Sequence, residues 1–205
     1  LYQDYSSREA LLELVRFKSS KRDGYVSLAE YKENMLEDQK SIYYITGENE
    51  DNLRNSPLLE PYNKKDIEVF IMDNEIDELV IPSVGKYKDL DLKPINRSDT
   101  SEELKTEDDK KDEKKVKPLL EKIKKVLGER VKDVRASAQL SDSPSCIVAD
   151  KDDPTAQMQA MFKQMGQANM PEAKPILEIN PNHEIILKVE KNDTLLEDVS
   201  FLLLD

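Results

Sequence analysis

Apolar residues recur along this chain with two periods, and each change of period marks a change of element. Near the start, Ser6-Ser7-Arg8-Glu9 has the form of a capping box, and Leu11, Leu14, Val15 and Lys18 follow at helical spacing. This predicts a first helix over about residues 7–19. After the loop Lys21-Arg22-Asp23-Gly24, the box recurs as Ser27-Leu28-Ala29-Glu30 before Tyr31 and Met35, predicting a second helix. Ser41 to Thr46 is an unbroken β-branched and aromatic run closed by Gly47, the pattern of a strand buried on both faces. A helical pattern from Asp51 to Leu59 is disturbed at Ser56-Pro57, and Ile67 to Met72 is a second strand. Strand, helix and strand at this spacing predict a parallel right-handed crossover, followed by a helix at Glu75–Ile81 and a weaker strand at Lys86–Leu92.

From Glu102 to Lys115, twelve of fourteen residues are Asp, Glu or Lys. Such a run buries too little apolar surface to repay its ordering unless it is a solvated helix, so it marks a boundary between domains. Beyond it Val116, Leu119, Leu120, Ile123, Val126 and Leu127 form a helical stripe that Gly128 ends. Strands at Val131–Gln139 and Cys146–Ala149, joined by the turn Ser141-Asp142-Ser143-Pro144, are expected to pair antiparallel. A third strand at Ile176–Ile179, a helix from Asn180-Pro181 to about Leu187, and a last helix capped at Thr194 complete the chain. That last helix ends in Phe201-Leu202-Leu203-Leu204, a leucine run that calls for a cover. The predicted fold class is α+β / α/β: a small three-layer αβα subdomain at 1–98, a charged linker at 99–115, and a separate mixed sheet with helices at 116–205.

One stretch stands apart. Asp153 can serve as N-cap, Pro154 suits the first helical position, and Gly166 suits a left-handed stop. Between them Met158, Met161, Phe162 and Met165 fall on one stripe. A methionine stripe is either one side of an ordinary core or an adaptable contact surface for partners of irregular shape. In Ile76-Asp77-Glu78-Leu79-Val80-Ile81-Pro82, Leu79 and Val80 sit among acids on a short helix, most simply the cover of the first sheet.

Charge and composition narrow the chemistry. Charged residues make up 36% of the chain and the net charge is −12, so no basic face is available for nucleic acid. Cys146 is the sole cysteine, which excludes an internal disulfide and fits a reducing compartment. No apolar run reaches the length of a membrane span, and no signal-peptide pattern opens the chain. Because the first residue is Leu1, the sequence is expected to be a piece of a longer polypeptide. The five glycines are isolated, so neither a P-loop nor a dinucleotide fingerprint can be drawn. With one histidine, His183, and one cysteine, no His- or Cys-rich zinc site exists, and a Cys146–His183 nucleophile pair would rest on a coincidence of folding. No catalytic residue and no metal ligand is expected.

Several motifs in fixed order give a specific resemblance. Ser41-Ile-Tyr-Tyr-Ile-Thr-Gly-Glu48, Ile67-Glu-Val-Phe-Ile-Met72 with Ile76-Asp-Glu78, Gly128-Glu-Arg-Val-Lys-Asp-Val-Arg135, Ser143-Pro-Ser-Cys-Ile-Val148 and Leu177-Glu-Ile-Asn-Pro-Asn-His183 resemble the ninety-kilodalton heat-shock chaperone family, closest to its bacterial HtpG branch. The resemblance implies the end of the family's middle domain at 1–98, and its C-terminal dimerisation domain at 116–205 without the final helices. It further implies a cytoplasmic, stress-response chaperone: an ATP-driven clamp that is homodimeric at full length and binds client polypeptides. ATP and Mg belong to the parent protein. The nucleotide-binding domain and the arginine loop that reads Asn-Leu-Ser-Arg-Glu in the family lie outside this sequence, so no cofactor and no ATPase activity are expected here. Carried over by motif, the client-binding positions are Met161, Phe162 and Pro154, with Glu78, Leu79 and Pro82; Met158 and Met165 form a secondary apolar face. Leu79 departs from the tryptophan frequent in the bacterial pattern, a smaller apolar hook. Phe201, Leu202, Leu203 and Leu204 lie near the family's dimer bundle. The alternative is a purely structural dimerisation module with the methionine helix packed in the interface.

Overall fold

A computed structural model describes residues 6–103, 107–137, 140–164, 166 and 173–205. The chain divides into two compact units, Leu1–Ile95 and Asn96–Asp205, each mixed α and β.

In the first unit the order is α1 (Arg8–Leu14), β1 (Arg16–Ser19), β2 (Tyr25–Ser27), α2 (Leu28–Glu33), β3 (Ser41–Thr46), α3 (Glu50–Arg54) and α4 (Glu60–Lys64). Then come β4 (Val69–Met72), α5 (Glu75–Val84), β5 (Lys86–Tyr87) and β6 (Leu90–Pro94). The six strands form one sheet in the order β2-β1-β4-β3-β6-β5. As the crossover pattern predicts, β3 runs parallel to β4, with Tyr43 opposite Val69, and it is also parallel to β6. All six residues of β3 are buried, because successive side chains enter different covers. Ile42 and Tyr44 join Phe70, Met72, Leu28, Tyr31 and Ile81 in the main core, whereas Tyr43 turns to Tyr62 of α4, with ring centroids 4.9 Å apart.

The predicted first helix is too long. It stops at Leu14, and Arg16–Ser19 leaves it as β1, paired with β2 and β4. The helical stripe had drawn on Lys18, but the buried residues are Phe17 and Ser19, a period of two. Behind this hairpin Arg22 grips buried Glu68 through Nε and Nη2 at 2.9 and 2.7 Å, and Ser19 donates to the same carboxylate. The second capping box forms as predicted: Glu30 N–H donates to Ser27 Oγ at 3.1 Å, and Ser27 N–H donates to Glu30 Oε2 at 2.7 Å.

The second unit contains α6 (Ser98–Glu103), α7 (Glu107–Leu127), β7 (Asp133–Ala136), β8 (Ser145–Val148) and α8 (Ala156–Gln164). β9 (Ile176–Ile179), α9 (Glu184–Lys191) and α10 (Leu196–Leu204) follow. The described part of the charged run, from Glu107, is helical, and α7 continues from it into the apolar stripe. Leu119, Leu120, Ile123 and Leu127 of α7 then pack with Leu177, Ile179, Ile186, Val189 and Leu203.

The expected antiparallel pairing of the strands flanking Ser141–Pro144 does not occur. The sheet order is β7-β9-β8, with β9 parallel to β7 and antiparallel to β8. The reason is burial: all four residues of β9 are buried, while β7 and β8 alternate and so suit the flanks. The terminal leucines also differ from expectation. Leu203 is buried in this unit's own core and Leu204 packs against it, so only Leu202, 67% exposed, projects.

Candidate functional site

The methionine helix keeps its stripe but not its predicted cap. α8 begins at Ala156, and the Thr155 hydroxyl accepts from the Met158 N–H at 3.2 Å. Asp153, expected to cap, is instead held by Lys132 Nζ at 2.7 Å, and Pro154 lies two residues before the helix. At the other end Gly166, with φ +82°, donates to the Lys163 carbonyl, the left-handed stop that the sequence signals.

Met158, Met161 and Phe162 are each half-buried, and none belongs to the buried core of the unit. Met165 lies outside the described residues. What fastens α8 is polar. The Gln159 side-chain amide reads the backbone of Ala173 twice, accepting from its N–H at 3.1 Å and donating to its carbonyl at 3.4 Å. At the front, Arg97 donates to the carbonyls of Lys151 and Asp153, each at 3.0 Å. Lys132 also pairs with Asp150 at 2.7 Å; this hydrogen bond holds the Asp150 carboxyl below the usual range and raises the Lys132 ammonium. Behind the helix Gln159, Ala160 and Lys163 line a cavity of about 520 Å³ with Glu129, Arg130 and Lys174. Arg130 stacks its guanidinium over the Phe201 ring, 4.8 Å from the centroid.

α5 is held differently. Ile81 is 1% exposed and Glu78 4%, so both point into the unit. Leu79 is half-buried, Pro82 is exposed, and Ile76 is 58% exposed. The Asp77 carboxyl is pushed up by burial, with the Asp73 charge adding to the effect. On α10, Phe201 and Leu204 are half-buried, Leu203 buried and Leu202 exposed. Cys146 is buried on β8, and His183 Nδ1 accepts from the Ile185 N–H as the cap of α9.

The α8 and α5 faces therefore sit in different units, each combining a half-open apolar face with firm attachment. The sequence matches the Hsp90 protein family over residues 1–203. The chain belongs to that family. Its relatives include the chaperone protein HtpG of Treponema denticola, 53% identical over 215 residues that cover 100% of this chain and 34% of that protein. HtpG of Aliarcobacter butzleri is 51% identical over 100% of the chain and 33% of its own length. HtpG of Treponema pallidum is 45% identical, over 100% and 34%. The chain thus spans about a third of the length of the curated relatives it matches.

Sequence reasoning missed Arg97 and Gln159. Arg97 lies in a stretch with no periodicity, and its partners are carbonyls, which leave no mark in sequence. Gln159 lies off the apolar stripe, and its partner is the Ala173 backbone, 14 residues away. No helix among the described residues is long and apolar enough to cross a membrane.

Proposed function

We propose that this Hsp90-family chain is the client-contacting part of a molecular chaperone, offering apolar helix faces to unfolded or partly folded polypeptides in the cytoplasm and contributing to the dimer of an ATP-driven clamp. In this reading residues 1–98 are the end of the middle domain, and 116–205 belong to the dimerisation domain. The observation that carries it is the half-open stripe of Met158, Met161 and Phe162, which stands outside the buried core on a helix attached by polar groups. Methionine and phenylalanine exposed in this way bind by area and adapt in shape, which suits clients of many sequences. The reading includes no ATP chemistry in this stretch, because its five glycines stand apart and neither a P-loop nor a dinucleotide fingerprint can be drawn.

The test is Met161→Ser with Phe162→Ser, assayed against an unfolded model client by fluorescence anisotropy. Affinity is expected to fall about tenfold or more, as two apolar contacts are lost, with circular dichroism unchanged. Unchanged affinity in a folded double variant defeats the reading. If the pair were core instead, the change would cost on the order of 4 kcal/mol or more of stability. A second reading, a structural dimerisation module, is favoured by Leu202, 67% exposed. It expects a dimer in sedimentation that Leu202→Asp dissociates, while client affinity stays the same.

A further inference from the structure

The second unit opens with residues 96–98, which form an isolated parallel bridge with Ala149, the residue after β8. Arg97 stands opposite Ala149; the Ala149 N–H donates to the Asn96 carbonyl at 2.9 Å, and the Ser98 N–H donates to the Ala149 carbonyl at 3.0 Å. This backbone pairing fixes where the Arg97 side chain starts. Its Nη1 donates to the carbonyls of Asp150, Lys151 and Asp153 at 3.3, 3.0 and 3.0 Å, and Nη2 lies 4.0 Å from Met158 Sδ. The three carbonyls belong to the turn that enters α8, and Met158 is the first stripe residue on that helix. The three carbonyls converge on Nη1, and a guanidinium suits this work because it is always charged and its planar head carries a second nitrogen, Nη2, to Met158 from the same rigid group. Lys132, bound to Asp150 and Asp153 at 2.7 Å each, holds the carboxylates of the same turn.

We propose that Arg97 is a positioning residue for α8: it sets the turn at which the helix begins, and so the direction in which Met158, Met161 and Phe162 are offered, and it ties that direction to the segment by which the chain enters the second unit. The inference rests on the reading of α8 as a client contact, but the clasp itself can be tested separately. If residues 96–98 slide along β8, the fork moves with them, and the turn must follow or be released. The pose of α8 is in this way set by a few residues that touch no client.

The experiment is hydrogen–deuterium exchange by mass spectrometry on the full chain, comparing Arg97→Ala and Arg97→Lys with the parent sequence. Loss of a charged donor shared by three carbonyls is expected to speed exchange in α8 about tenfold in Arg97→Ala, with β9 unchanged. Arg97→Lys keeps the charge but is one bond shorter and has no second nitrogen to set against Met158, and is expected to recover only part of that protection. Equal α8 exchange in all three proteins overturns the proposal. If Arg97→Ala loosens β9 as well, Arg97→Lys decides: acceleration confined to α8 upholds the clasp, and acceleration shared equally with β9 makes Arg97 a general structural residue and overturns it. Client affinity is measured on the same proteins, and a fall of about threefold or more in Arg97→Ala is expected from a misdirected face. If Met161→Ser with Phe162→Ser leaves affinity unchanged while Arg97→Ala still loosens α8, the clasp stands and the client reading alone falls.

Discussion

α5 and α8 are both short helices with a half-open apolar face, yet they are secured by opposite means. α5 sinks Ile81 into the apolar core of its unit, at 1% exposure, and leaves Ile76 and Pro82 outside. None of the α8 side chains among the described residues lies in the buried core; Arg97, Thr155 and Gln159 hold its backbone and adjoining loops by hydrogen bonds. Apolar anchoring is strong but uses up the side chains that could contact a partner. Polar attachment through loop carbonyls, a helix cap and one glutamine leaves Met158, Met161 and Phe162 half-open, at the expense of local stability. The difference explains how a nine-residue helix can remain placed while keeping its methionines half-open.

The sharpest way to break this contrast is to truncate one apolar side chain on each helix. Ile81→Ala removes a fully buried side chain, and a loss of about 3 kcal/mol is expected for the first unit in urea unfolding. Phe162→Ala on α8 is expected to cost under about 1 kcal/mol, because its site is already half open. Equal losses would erase the distinction. A smaller effect is expected from Thr155→Ala. Removing the hydroxyl that accepts from Met158 should cost about 1 kcal/mol locally, seen as faster amide exchange in the first turn of α8, with Thr155→Ser restoring protection. Slowed or unchanged exchange in Thr155→Ala would mean that the cap is not what starts this helix.

How much of this was legible in sequence depended on how local the cause was. β3 was readable because burial on both faces requires an unbroken apolar run, and the capping box of α2 because its two bonds lie within four residues. The sheet order β7-β9-β8 was not, since β9 comes 27 residues after β8 and nothing near Ser141–Pro144 announces a third strand entering between its neighbours. β1 was hidden for the same reason, because its partners β2 and β4 decide its form and the residues before it do favour a helix. On α8 the stripe and the stop at Gly166 were legible, while its cap was misplaced by two residues. Thr155 outcompetes Asp153 because Lys132 already holds the aspartate.

The smallest expected effects are those of pH, and here the two helices should answer with opposite sign in separate windows. Burial raises Asp77 on α5, so the folded state takes up its proton before the unfolded state does. Its contribution to stability therefore grows as pH falls through the raised folded value, and is complete near the ordinary aspartate value of about 3.9. The hydrogen bond from Lys132 lowers Asp150, at the turn before α8, so its contribution is full above about 3.9 and is lost only as pH falls through the lower folded value. On the alkaline side the raised Lys132 keeps its contribution up to the ordinary lysine value of about 10.4 and loses it as pH rises through the higher folded value. Carboxyl carbon NMR titration of the full chain should place the Asp77 midpoint above the ordinary value and the Asp150 midpoint below it. Lys132→Met should move Asp150 up toward the ordinary range, with the Lys151 backbone bond and the Arg135 charge still acting on it, and leave Asp77 where it was. Coincident midpoints for the two aspartates would show that neither burial on α5 nor the lysine tether before α8 acts on these groups.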